Sequence, residues 1–350
     1  MLHTFRYTHP FELESGGALP GFELAYTTAG RLNAARDNAV WICHALTGNA
    51  QPQEWWAGLV GPGKLLDPAR HFIVCANALG GCYGSTGPLS VHPKTHTPWY
   101  HSFPELTNRD MVRAFQLLQK HLDIPRIGLL MGGSLGGQHA LEWAVEQPRS
   151  VARLVVLASN AWHSPWGIAF NESQRMAIEA DVTWQLNSKK AGLQGLKVAR
   201  TLGVLSYRTY EIYQQRQAEQ DPDQLGRYRA SAYQQYQGHK LAERFNAYTY
   251  YRFSQAMDSH HVGRGRGGAQ QALAGVTAKT LAVGIDSDLL FPLQEQEYLV
   301  QHIPQARLEV ISSLYGHDGF LVEAAPIAAA IQGYFPDFTG VAQAQTEVKV

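Results

Sequence analysis

Cysteine is scarce. The 350-residue chain has three, Cys43, Cys75 and Cys82, an odd number without Cys-x-x-Cys spacing, which speaks against a disulfide framework and a structural zinc site. A reducing, cytoplasmic setting without a metal is expected. Charge of one sign is also missing: 29 basic residues offset 29 acidic ones and no Lys/Arg block occurs, so the footprint of a nucleic-acid or anionic-membrane binder is absent. No apolar run approaches the length that crosses a bilayer, and the amino terminus, MLHTFRYTHPFELESGG, lacks a cationic start followed by an apolar stretch. These absences predict a soluble protein whose partners are small neutral or zwitterionic molecules.

What is present is a rhythm of short apolar, β-rich runs: FELAYTT from Phe22, AVWICHAL from Ala39, HFIVCAN from His71, RIGLLMGG from Arg126, RLVVLAS from Arg153, TLAVGI from Thr280 and RLEVIS from Arg307. Runs apolar on both sides suit a parallel sheet covered on each face. Helical patterns such as MVRAFQLLQKHL from Met111 and QHALEWAVEQ from Gln138 separate several of them, the signature of βαβ units. The rhythm breaks over 164–271, a long, helical stretch rich in Gln and Tyr. This predicts an α/β core of 1–163 and 272–340, a mostly parallel central sheet with helices on both faces, interrupted by a helical lid insertion and followed by a loose tail over 341–350.

The segment MGGSLGGQHALEW, from Met131 to Trp143, surrounds one serine with glycine. Gly132, Ser134 and Gly136 complete G-x-S-x-G between a strand and a helix, where the serine occupies a strained turn and side chains on its neighbours would collide with facing backbone. The turn exposes the serine oxygen and aims the Leu135 amide, at a helix amino terminus, toward the same point. A dinucleotide loop is excluded because Met131 stands at the first glycine position, and GGCYGSTGP from Gly80 lacks the lysine of a phosphate loop. A serine hydroxyl needs a base, and the base needs a carboxylate that fixes its tautomer. With the order Ser, acid, His, His317 in YGHDGF is the candidate base, and the acid is Asp286 or Asp288 in GIDSDLLFP, which spacing leaves open. The second oxyanion donor is expected in HALTG, at the amide of Leu46.

Taken together, HALTG at His44, NALGGCYGSTGP at Asn77, GGSLGGQHALEW at Gly132, LSYR at Leu205, AMDSHHVGRGRGG at Ala256, SDLLFP at Ser287 and YGHDGFL at Tyr315 resemble the homoserine O-acetyltransferase family. The likeness runs from about Phe22 to Phe335. It implies an α/β-hydrolase fold, selects Asp288 as the acid, and implies that Arg200, Tyr207 and Asp318 hold the amino-acid acceptor, a guanidinium suiting an α-carboxylate and an aspartate an ammonium. It further implies acetyl-CoA as co-substrate with no bound cofactor, a place in methionine biosynthesis, and a homodimer formed through the lid helices. Three departures stand out. Family members usually carry a His shortly after HALTG, where this chain reads NAQPQEWW; an Asp replaces His261; and an Asp replaces Asn246. None touches Ser134, Asp288 or His317. Rival readings keep the triad: succinyl-CoA as donor, serine as acceptor, or water as acceptor in an esterase or thioesterase. A silent binding module would be expected to lose a triad member.

Overall fold

The computed structural model describes residues 1–339; the tail read over 341–350 lies outside the described residues. The strands are β1 (Leu2–Tyr7), a two-stranded hairpin of β2 (Phe11–Glu12) and β3 (Ala18–Leu19), then β4 (Phe22–Ala29), β5 (Ala39–Cys43), β6 (Phe72–Ala76), β7 (Leu129–Gly133), β8 (Arg153–Leu157), β9 (Lys279–Ile285) and β10 (Ala306–Ile311). Eight of them form one sheet in the order β1-β4-β6-β5-β7-β8-β9-β10. From β6 to β10 every pairing is parallel, while β4 is antiparallel to both β1 and β6.

Every residue of β5 and β7 is buried, as expected for strands covered on both faces. One apolar cluster fills one side of the sheet around Trp41, Phe115 and Trp143; a second fills the other around Val40, Met131, Phe320 and Ile331. The side-chain period of two sorts neighbours such as Val40 and Trp41 to opposite faces. The helices that supply these layers are α1 (Pro52–Trp55), α2 (Asn108–His121) and α3 (Leu135–Glu146) early in the chain. Strand β1 escaped the sequence reading because only Phe5 is buried along it, leaving no apolar run to detect.

Between β8 and β9 the chain is helical: α4 (Pro165–Glu179), α5 (Leu193–Tyr207), α6 (Tyr210–Gln217), α7 (Arg229–Ala242), α8 (Ala247–Asp258) and α9 (Ala269–Ala274). Aromatic contacts order the Gln/Tyr-rich part, Tyr213 and Tyr233 meeting edge to face at 5.9 Å. Two of the family departures fall here. Asn246 caps α8, its side chain accepting the Thr249 N–H, a task Asn and Asp perform equally. His261 bridges Trp162 across the base of the insertion and stacks on its ring at 5.9 Å. After β9 come α10 (Leu293–His302), α11 (Gly319–Val322) and α12 (Ala324–Tyr334).

Candidate active site

Ser134 lies between β7 and α3 with φ 56° and ψ −125°, a region that L-residues avoid unless their surroundings enforce it. Three bonds do so. The Ser134 N–H donates to Leu157 O of β8 (3.0 Å), and its carbonyl accepts from the Ser159 hydroxyl (2.9 Å) and the Gln138 N–H (3.0 Å). The flanking glycines are required by contact. A Cβ on Gly132 would stand 2.2 Å from Gly136 O, and one on Gly136 would stand 2.2 Å from Cys43 O. Backbone cannot retreat as a flexible side chain can. The glycines therefore let β5, the elbow and α3 close on one another, with the serine held at the junction.

His317 follows β10 and is buried. Its Nδ1–H donates to Asp288 Oδ2 at 2.7 Å, and the other oxygen of Asp288 accepts from the Leu290 and Phe291 amides at 2.8 and 2.9 Å. Asp286, the alternative that spacing left open, is exposed and accepts the Ser313 N–H at 3.1 Å; it ties the loop after β9 to the loop after β10 and does not meet the histidine. Burial works against a charged ring at His317, but the adjacent Asp288 carboxylate outweighs it and raises the imidazole pKa. Phe291 stacks on the ring at 5.0 Å, and Phe320 and Tyr207 approach it at 5.2 and 5.7 Å. The Nε2 atom is buried with no hydrogen-bond partner among the described residues. Ser134 is buried as well, and a buried imidazole nitrogen that no other group engages is free to accept a proton.

The two amides expected from sequence as oxyanion donors follow β7 and β5. Leu135 is the first residue of α3, where a helical N–H has no intrahelical acceptor. Leu46 sits in the loop after β5, and sequence reasoning missed what holds that loop. His44, also buried, donates from Nδ1 to Ala45 O (2.8 Å) and accepts at Nε2 from the Ala78 N–H (3.0 Å). A backbone amide can only donate, so the ring is neutral with its tautomer fixed, and burial lowers its pKa. His44 thereby ties HALTG to the loop after β6.

The residues that the resemblance implies for the acceptor gather around the histidine. The Arg200 guanidinium lies 5.5 Å from the Tyr207 ring centroid, and Tyr207 in turn faces His317. Asp318 follows His317 directly, but its Oδ2 stands 2.9 Å from Arg208 Nε, so a second arginine, the one in LSYR, not singled out from sequence, already engages it. Glu295 is another residue without a sequence signal. It accepts from Asn160 Nδ2 at 2.9 Å, and burial raises its pKa to about 7, the neighbouring Asp288 adding to the rise.

Glu295 sets a testable pH dependence of stability. An acid whose folded pKa lies above its unfolded value of 4.5 holds a proton in the folded state that the unfolded chain has lost, so stability falls as pH rises from 4.5 to about 7. Glu295→Gln should remove that slope, a difference of up to roughly 3 kcal/mol. Urea unfolding midpoints of both proteins across the interval check it; parallel curves would contradict the assignment.

Comparison with known proteins bears on the family and the fold. The family model for the alpha/beta hydrolase fold matches residues 38–324. The homoserine O-acetyltransferase of Cyclobacterium marinum is 48% identical over 94% of this chain and 93% of its own length. Among solved structures, the homoserine O-acetyltransferase of Bacillus anthracis superposes with a TM-score of 0.88 at 23% identity, covering 95% of this chain and 97% of that one. Esterase E22 superposes with a TM-score of 0.87, also at 23% identity, over 95% and 99% of the two chains. Two activities on nearly equal superpositions mean that these structures bear on the fold alone.

Proposed function

The chain belongs to the homoserine O-acetyltransferase family, on the α/β-hydrolase fold, and from this premise we propose how its residues carry an acetyl group to the hydroxyl of homoserine. Ser134 Oγ attacks the carbonyl carbon of acetyl-CoA while His317 Nε2 takes its proton. The tetrahedral oxyanion is stabilised by the amides of Leu135 and Leu46. The C–S bond breaks, and the CoA sulfur leaves with the proton from His317, so an acetyl-serine remains. Homoserine then gives its hydroxyl proton to His317 Nε2 and attacks the ester, and the second tetrahedral intermediate collapses to O-acetylhomoserine with Ser134 reprotonated. The order is ping-pong. The observation that carries this reading is the 2.7 Å pair between His317 and Asp288 together with the unpaired Nε2.

Water competes with homoserine for the acetyl-serine. Positioning of the acceptor is therefore worth most where it is firmest, up to about 7–11 kcal/mol for a well-oriented reaction. Arg200 holds the α-carboxylate, Tyr207 lines the path to His317, and Asp318 meets the ammonium with its carboxylate fixed by Arg208. The helices from α4 onward act as a lid over a triad whose members are each buried. A homodimer through that lid is supported by Val198 and Leu205, exposed apolar residues of α5. Among the described residues no helix is long and apolar enough to cross a membrane, and the cysteines are unpaired; both suit a soluble enzyme in the reducing cytoplasm.

The deciding experiment is CoA release from acetyl-CoA with and without homoserine. Release that depends on homoserine supports transfer; equal release without it converts the reading to a thioesterase, and none with any acyl-CoA refutes the donor. In the same assay Arg200→Gln should raise KM for homoserine by roughly 10- to 100-fold, the range for losing a charge-assisted contact. An unchanged KM would remove Arg200 from the acceptor site.

A further inference from the structure

A second cavity of about 290 Å³ abuts the catalytic loop, walled by Arg208, Arg216, Tyr213, Tyr233 and Tyr315. Its chemistry is unusual for an idle surface pit. Tyr315 lies between two guanidinium groups, with Arg208 Cζ 5.2 Å from its ring centroid and Arg216 Nη2 3.5 Å from its hydroxyl. Tyr213 and Tyr233 present rings nearly at right angles.

One polar atom on this wall, the Tyr213 hydroxyl, is buried without a hydrogen-bond partner among the described residues. Arg208 Nε is committed to Asp318 at 2.9 Å. Buried polar groups without partners are rare in folded proteins, and one on a cavity wall points to a ligand that supplies the missing partner. Arg216 pairs with no carboxylate among the described residues, so the cavity keeps positive charge after Asp318 has offset Arg208.

The cavity also has a defined relation to the triad. Tyr207 and Arg208 are consecutive, the first facing His317 and the second stacking on Tyr315. Gly316 lies between Tyr315 and His317 with φ 60°, and a Cβ there would stand 2.9 Å from Tyr207 O. The end of α5 and the catalytic loop therefore form a shared wall. An anionic, aromatic group bound behind that wall would sit on the same molecule as the thioester only if a long flexible arm joined them.

We propose that this cavity takes the phosphate-bearing nucleotide end of the acyl thioester donor, guanidinium groups meeting phosphate and tyrosine rings meeting the base. The proposal rests on the acyl-CoA reading given above. It assigns Arg216, Tyr213 and Tyr233 to donor recognition, separately from the acceptor residues around His317.

The test compares acetyl-CoA with acetylpantetheine, the same thioester without the nucleotide. In Arg216→Gln the ratio of kcat/KM for acetyl-CoA to that for acetylpantetheine should fall about tenfold, the scale of one charge-assisted contact. Tyr213→Phe, which removes only the hydroxyl, should lower the ratio less. In parallel, calorimetry should show adenosine 3′,5′-bisphosphate binding to the wild-type protein and binding at least severalfold more weakly to Arg216→Gln. An unchanged ratio in both variants, or equal bisphosphate affinity in wild type and variant, overturns the proposal. Failure of wild-type protein to use acetyl-CoA would instead sink the donor reading, while the calorimetric arm still decides whether the cavity holds a nucleotide.

Discussion

Ser134→Ala is expected to lower kcat for homoserine acetylation by about six orders of magnitude, the cost of removing the nucleophile from a triad of this type. Alanine at this position keeps the elbow, because the bonds that hold it run through the Ser134 backbone to Leu157, Ser159 and Gln138. The variant should therefore unfold at close to the wild-type temperature. Rapid mixing of the wild-type enzyme with acetyl-CoA should give a mass increase of one acetyl group on the peptide containing Ser134, and the variant should show none. Full turnover in Ser134→Ala, or an acetyl adduct elsewhere, would remove the covalent route and leave direct transfer from thioester to homoserine.

Asp288→Asn separates orientation from charge. A neutral imidazole is the working base, so activity declines as pH falls through the histidine pKa. In the wild-type enzyme that limb of kcat/KM should lie above the ordinary imidazole value of 6.5, because the Asp288 carboxylate raises it. Asparagine withdraws the charge and can present an N–H to Nδ1, favouring the wrong tautomer. A fall in kcat of about four orders of magnitude is expected, with the acidic limb moved to lower pH. Asp286→Asn is the matched comparison: its carboxylate braces the Ser313 amide in an exposed turn, so turnover should stay near wild type. A comparable collapse in both variants would mean that the tie between the loops after β9 and β10, and not the 2.7 Å contact, supports activity.

Residues whose role depends on short-range backbone geometry were readable from the chain. The glycines around Ser134 are an example, since a strained turn between an apolar run and a helical pattern demands them wherever the rest of the fold lies. The apolar runs of the parallel sheet are another, because a strand buried on both faces cannot hide its composition. β1 was not, as its pairing with β4 is made by main-chain bonds that leave little trace in side chains. Arg208, Glu295 and His44 were equally silent. An arginine after a helix, a glutamate in the first turn of α10 and a histidine at a strand end are ordinary by composition, and they acquire meaning only from partners far away in the chain.

The amino-acid order by itself therefore determined the elbow, the succession of the parallel strands and their helices, and the candidates for nucleophile and base, because each follows from local sterics and periodicity. Spacing left Asp286 and Asp288 open and the family likeness pointed to Asp288; the tertiary structure separates the two physically, burying one against His317 and turning the other to solvent. It also decided that Asp318 is met by Arg208, and that the same stretch of chain walls a second cavity. Such choices depend on which groups lose water together, and desolvation is a property of the packed chain that no short segment carries alone.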